Sequence, residues 1–306
     1  MKPRLLILFL LVFSFACRKD KCEPEAEKPF ADLPPAKDPT KSEKYRLKTR
    51  LIYANSSRPN PYTIVRYEYD VSGNLAKESS FDFPDVLSQY ITYEHQDGDL
   101  KKKSIYVRQL DVLIPGGVSN YEYQNNKIIE REDLRGDGSL VRAQRYEYAR
   151  NRLVNTYTAD ENRNYYHQLK YTYDSMGRVM KEENFTSNLL SSNYSFTYDD
   201  QSRISKKTLL TGSNQVLSYI EYVYEGNGKL PVKESQFDEN GNLINILRRI
   251  NNQDDYPTEV ILEDEKGANT LEKNVYADGV IIDKKRFSAP WNFAESTYTR
   301  YEYERI

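Results

Sequence analysis

One strand–turn–strand unit recurs along this chain, and its recurrence limits the fold more than any other feature. It is clearest at Tyr171-Thr-Tyr-Asp-Ser-Met-Gly-Arg-Val-Met-Lys-Glu182. Side chains of a strand alternate faces, so Tyr171 and Tyr173 point one way and Thr172 the other. Tyrosine suits a half-buried pleated surface, with an apolar ring and a polar tip. Asp174 can bond the backbone ahead of it and start a turn. Gly177 stands where a type I turn followed by a bulge needs a left-handed residue. Val179 then opens the return strand. Simple alternation puts Lys181 on the face of Val179, and Met180 and Glu182 on the other.

The first tyrosine position of each copy falls at Tyr67, Tyr93, Tyr121, Tyr146, Tyr171, Phe196 and Tyr222, with steps of 26, 28, 25, 25, 25 and 26. Two more steps of 26 reach Arg248 and Asn274, and Tyr301-Glu-Tyr303 closes the series with a half-unit. The turn position behind each is Gly73, Gly98, Asn126, Asn151, Gly177, Ser202, Gly228, Asp254 or Gly279. Most are Gly or Asn, the residues that best tolerate the left-handed region. Self-similarity at this period marks a repeat architecture.

The run Tyr171 to Val179, with Asp174, Gly177 and Arg178 in place, resembles the YD repeat of the Rhs family; Tyr67 to Leu75 is the next best copy. The resemblance covers roughly residues 45–303. It implies an array of β-hairpins. Long arrays of that family form a spiralling sheet that can enclose a toxin. This chain departs from the plan: it is short for a large shell, and no toxin domain or core-processing segment is evident. Encapsulation is therefore not carried over.

Residues 1–17 read as an export signal. Lys2 and Arg4 precede an apolar run from Leu5 to Phe15, too short for a transmembrane helix, and Ala16 precedes Cys17. A cysteine there implies lipidation, with Cys17 as the acylated first residue, anchoring the chain to a membrane. The loose signal, with Ser14-Phe-Ala16 before the cysteine, resembles those of Bacteroidota lipoproteins and implies the outer membrane, with either face open. Cys22 is the other cysteine, and two cysteines before the repeats cannot frame a disulfide scaffold. Residues 18–44, with Pro24, Pro29, Pro34, Pro35 and Pro39, read as a tether. At about 3.1 Å per residue it reaches roughly 60–80 Å.

Residues 45–306 form the repeat domain. The expected fold class is all-β: a repetitive antiparallel hairpin meander of about 26 residues per repeat, making a long twisted or coiled sheet with the tyrosine face inside. A cap is expected near 288–306, holding Trp291, because a terminal repeat must cover an exposed edge. A closed outer-membrane barrel is not expected, since its lipid face would need long apolar alternation.

Catalytic signals are sparse. His95 sits in the second tyrosine position of its unit, and His167 has no ligand at metal spacing. Two histidines do not assemble a Ser-His-Asp set. Asp199-Asp200, Asp254-Asp255 and Glu263-Asp-Glu265 fall at or near turns and read as solvated turn residues. Lys101-Lys-Lys103 reads as a solvated strand, because the net charge of −2 gives no nucleic-acid footprint. No cofactor, metal or nucleic acid is expected. The chain carries 27 tyrosines, and Tyr67, Tyr69, Tyr171, Tyr173, Tyr222 and Tyr224 are the candidates for stacking on a ligand. The expectation is a non-catalytic cell-envelope lipoprotein whose sheet is a scaffold or binding surface for glycan or protein. The alternatives are an Rhs-like toxin-system component, immunity or partner protein, and, more remotely, a carboxylate-based hydrolase.

Overall fold

The computed structural model describes residues 45–278, 280–288 and 294–305. Cys17, Cys22, the export segment, the tether, Gly279 and Trp291 lie outside them. The chain makes β1 (Tyr45–Tyr53), β2 (Thr63–Tyr69), β3 (Leu75–Asp82), β4 (Val86–Gln96) and β5 (Asp99–Gln109). There follow β6 (Val112–Gln124), β7 (Lys127–Arg135), β8 (Leu140–Ala149), β9 (Arg152–Ala159) and β10 (Tyr165–Tyr173). Next come β11 (Val179–Thr186), β12 (Leu189–Tyr198), β13 (Ile204–Thr211), β14 (Val216–Val223) and β15 (Lys233–Asp238). The last are β16 (Leu243–Asn251), β17 (Pro257–Asp264), β18 (Gly267–Ala277), β19 (Val280–Ser288) and β20 (Ala294–Arg305).

Each strand pairs antiparallel with its neighbours in sequence, and β20 pairs with β1, Tyr301 facing Arg50. The hairpin meander is therefore present, but the sheet is a closed barrel of 20 strands rather than an open twisted or coiled one. The C-terminal strand, expected to cap an edge, lies between β19 and β1.

Bulges explain the closure. Every neighbour pairing except β1–β2 and β14–β15 contains a one-residue register shift. The extra residue falls near the start of the later strand of the hairpin, as Met180 does between Thr172↔Lys181 and Tyr173↔Val179. A bulge bends its strand and tightens the twist, so bulges repeated at nearly every turn curl the sheet steadily. The bulge also corrects the simple alternation. Glu182 faces Tyr171 and Val179 faces Tyr173, so both share the tyrosine side, and Lys181 takes the other.

A second regularity sets the girth. Glu78 faces Ile91, whereas Tyr93, two residues on, faces Lys103. The same two-residue step recurs from Tyr194 to Phe196 and from Ile220 to Tyr222. Two residues per two strands tilts the strands by about 35°, and the perimeter is then about 117 Å, or roughly 37 Å across if round. The step also corrects one repeat position. Leu247 faces Glu234, so Arg249, facing Val260, takes the tyrosine register, while Arg248 lies on the opposite side and is exposed.

The tyrosine side lines the lumen. Val65, Tyr67, Tyr121, Tyr171 and Phe196 are between 2% and 8% exposed. Their chain neighbours Arg66, Glu68, Glu122, Thr172 and Thr197 are exposed. Side chains converge on the concave side of a closed wall and splay on the convex side, so this contrast assigns the faces. The core is a belt, not a central cluster. One patch joins Leu47, Val65, Tyr67 and Leu75, a second Leu100, Tyr121 and Ile128, a third Leu153, Tyr171, Val179, Phe196 and Ile204. Tyr93 bridges the first two and Tyr146 the last two. Among the described residues no cluster joins opposite walls. The convex face carries Glu68, Glu94, Glu122, Arg145, Glu221 and Lys273, all exposed. Basic side chains on a lipid-facing wall cost about 2–4 kcal/mol each at the bilayer midplane, so this charged wall suits water better than lipid.

Candidate binding surface

The turns of the tyrosine motif gather at one end of the barrel and are built in two ways. At Asp174 the backbone N–H of Gly177 donates to the Asp174 carbonyl (3.0 Å), and the Asp174 carboxylate accepts from the Arg178 backbone N–H (2.8 Å) and side chain (2.7 Å). The Arg178 backbone bond, followed by its side chain, holds the Asp174 carboxyl below the usual range. Asp70 and Asp199 repeat the arrangement. Elsewhere the turn is two residues with both φ positive: Asp97 (56°) and Gly98 (86°), Asn125 (53°) and Asn126 (59°), Arg150 (50°) and Asn151 (70°). Gly73 and Gly177 have φ of 83° and 85°. Gly228 is not left-handed; Gly226 is, at 48°. Asp255, rather than Asp254, takes the positive φ of its turn, at 64°.

Consecutive units are latched by residues of the motif itself. The second tyrosine of a unit donates its hydroxyl to a carbonyl in the unit before: Tyr69 to Leu47 (2.9 Å), Tyr173 to Leu153 (2.6 Å), Tyr198 to Val179 (2.7 Å) and Tyr224 to Ile204 (3.0 Å). The cation before that carbonyl stacks on the same ring: Arg46 on Tyr69 (4.6 Å), Arg152 on Tyr173 (5.6 Å), Arg178 on Tyr198 (4.5 Å) and Arg203 on Tyr224 (4.3 Å). Its guanidinium also reaches the next turn. Arg203 donates to the Gly226 (2.8 Å) and Gly228 (3.0 Å) carbonyls, Arg178 to Ser202 Oγ (3.3 Å), and Arg152 lies against Gly177. Burial, more than nearby charges, pushes the Tyr198 and Tyr224 hydroxyls up to about 12.

The six tyrosines singled out from the sequence thus lie on the lumenal side, within the latches and the core belt. Tyr67 and Tyr171 are buried, and Tyr222 is half-buried against the third cluster. The convex face carries its own aromatic pairs. Tyr90 stacks on Tyr106 (4.5 Å), Tyr219 on Phe237 (4.8 Å), and His167 lies between Tyr157 (5.1 Å) and Phe185 (4.2 Å). Position alone could have found some of them: Tyr219 precedes Tyr222 by three, an odd offset that changes face. His167 Nε2 meets Asn155 Oδ1 (3.1 Å). His95 is half-buried, its Nε2 without a hydrogen bond, and burial lowers its pKa. Among the described residues no group of three His, Cys, Asp or Glu could hold a metal.

A cleft of about 570 Å³ opens at the turn end across β6–β9. Half-buried Tyr146, Tyr148, Ile129, Val154 and Lys127 line it with exposed Gln124, Asn125, Glu147 and Asn151. One residue sets this joint apart from those that follow it. The latching residue here is Lys127, where the later joints have Arg152, Arg178 and Arg203. Its Nζ stacks on Tyr148 (4.8 Å) and donates to the Asn151 carbonyl (2.6 Å), and an ammonium group is slimmer than the planar guanidinium fork of the later joints. Glu147 Oε2 accepts from Asn155 Nδ2 (2.9 Å) and Tyr157 Oη (3.0 Å), which fixes its carboxylate beside the cleft. The substitution of lysine for arginine after the Asn126 turn was the signal available in the sequence.

No protein-family model matches the chain, and no curated protein does. Among solved structures, it is similar to the Photorhabdus luminescens Tc holotoxin pore carrying TccC3-D651A, at 8% identity and a TM-score of 0.39 over 77% of this chain and 17% of that one. It is also similar to TcdB2-TccC3, at 12% and 0.38 over 77% and 14%. A porin-like protein from Bacteroides uniformis aligns at 10% and 0.35 over 84% of this chain and 98% of its own. The chain spans under a fifth of the toxin chains' length. The likeness carries no functional assignment.

Proposed function

We propose that this chain is a non-catalytic binding module of the cell envelope. It is exported through residues 1–17, held by an acyl group on Cys17, and spaced from the membrane by residues 18–44. The closed barrel is a stiff scaffold that presents a recognition surface to glycan or protein. The observation that supports this reading is the mixed aromatic and amide cleft on a latched, charged wall. Its volume lies in the range of small-molecule binding clefts, and its lining is more polar than theirs commonly is.

Two measurements test it. Replacing Cys17 by Ser should release the protein from membranes; unchanged membrane association would remove the anchor from the reading. The released protein should bind saturably to members of a glycan array or to a defined component of envelope extracts. A folded protein that binds neither would refute the binding role.

A further inference from the structure

The cleft's lining narrows the ligand, on the reading above that the barrel is a binding module. Three carboxamides, Gln124, Asn125 and Asn151, line the cleft together with Tyr146 and Tyr148, and Lys127 Nζ lies over the Tyr148 ring. A carboxamide both donates and accepts, and so does a hydroxyl, so amide walls match a polyhydroxylated ligand. The two charges, Lys127 and Glu147, cancel. A phosphate or nucleotide would need an excess of cations, and a lipid tail would need apolar walls. Tyrosine rings offer apolar surface with a polar tip, suited to the C–H faces of a sugar ring. The geometry points to a saccharide site of one or two rings between the Asn125-Asn126 and Arg150-Asn151 turns, with Lys127 as the residue that keeps it open.

The test uses K127R. Arginine at this position is what three later joints already carry, so the variant should fold. Its guanidinium should fill the joint as that of Arg203 does against the Gly226 and Gly228 carbonyls. N125G is the second variant. Asn125 has φ 53°, which glycine adopts freely, so the turn is kept and one amide is lost. Binding of maltose, cellobiose and diacetylchitobiose to the acyl-free full chain is measured by calorimetry, with circular dichroism to check folding. At least one sugar should bind saturably, and each variant should weaken it tenfold or more. Sugar binding that is unchanged in both folded variants would overturn this site while leaving a glycan-binding module. Failure of every sugar, with a protein ligand bound, would overturn the saccharide assignment but not the module. Failure of both ligand classes would remove the module itself.

Discussion

Removing the latch hydroxyls should weaken the barrel by a predictable amount. Tyr173, Tyr198 and Tyr224 each donate one hydrogen bond of 2.6–3.0 Å to a carbonyl of the preceding unit. Phenylalanine keeps the ring, and with it the cation of Arg152, Arg178 or Arg203, so each substitution isolates one hydrogen bond. Such a bond contributes about 1 kcal/mol net. The three tyrosines lie at the ends of alternate strands, Tyr224 one residue beyond β14, about 10 Å apart, and share no acceptor, so their effects should add to about 3 kcal/mol. With a urea slope near 3 kcal/mol per M, the triple variant should unfold about 1 M earlier and each single about a third of that. Tyr62→Phe is the control: its side chain is 48% exposed, and surface changes stay within about 0.5 kcal/mol. A triple variant that shifts the midpoint no more than this control would refute the latch.

Other outcomes follow from the same geometry. Gly177→Ala and Gly98→Ala both force alanine into a φ near 85°, each losing about 1–2 kcal/mol. Gly177→Ala should lose more, because its new methyl would meet the Arg152 guanidinium while Gly98 has nothing nearby; equal melting shifts would exclude the Arg152 seat. The carboxyls of Asp160, Asp174 and Asp238 lie below their ordinary value of 3.8, led by bonds from the Asn164 side chain, the Arg178 backbone and the Asn242 side chain respectively. A depressed folded pKa stabilises above the unfolded value and is lost as pH falls through the folded one. Urea midpoints should therefore be insensitive to these groups from pH 7 to 5 and drop below about pH 4, and the triple Asn variant should show a shallower drop. At the alkaline end, Tyr198 and Tyr224, raised to about 12, stabilise fully below pH 10 and lose that contribution as pH rises through 12. Phenolate absorbance should show a late-ionising group of tyrosines that includes Tyr198, Tyr224 and Tyr123, whose hydroxyl burial raises further still, and the late amplitude should fall by two tyrosines in the Tyr198→Phe/Tyr224→Phe variant.

Much of the wall was legible because its determinants are local. Tyr171, Asp174, Gly177 and Arg178 lie within eight residues, and their hairpin needs nothing beyond them. Side-chain alternation placed Tyr171 and Tyr173 together. It failed at Val179 and Lys181 because the bulge at Met180 adds a residue that polarity does not mark. It slipped by one at Arg248, where no tyrosine fixes the frame. The binding surface was less legible. The six tyrosines chosen as platforms sit in the lumenal belt and latches, because a latch joins residues about twenty apart whose meeting depends on strand pairing. The cleft was hidden for the same reason: Lys127 looks ordinary until Arg203 is seen filling the equivalent joint.

The chain's short-range chemistry determined the hairpin, the period of the repeat, the shared face of the paired motif tyrosines and most turn positions. Tertiary structure alone decided that the sheet closes. Closure requires Tyr45–Tyr53 to meet Ala294–Arg305, a pairing that no local motif encodes. It is the sum of a small bend at each bulge and a two-residue step at each unit, and only over 20 strands does that sum return the last strand to the first.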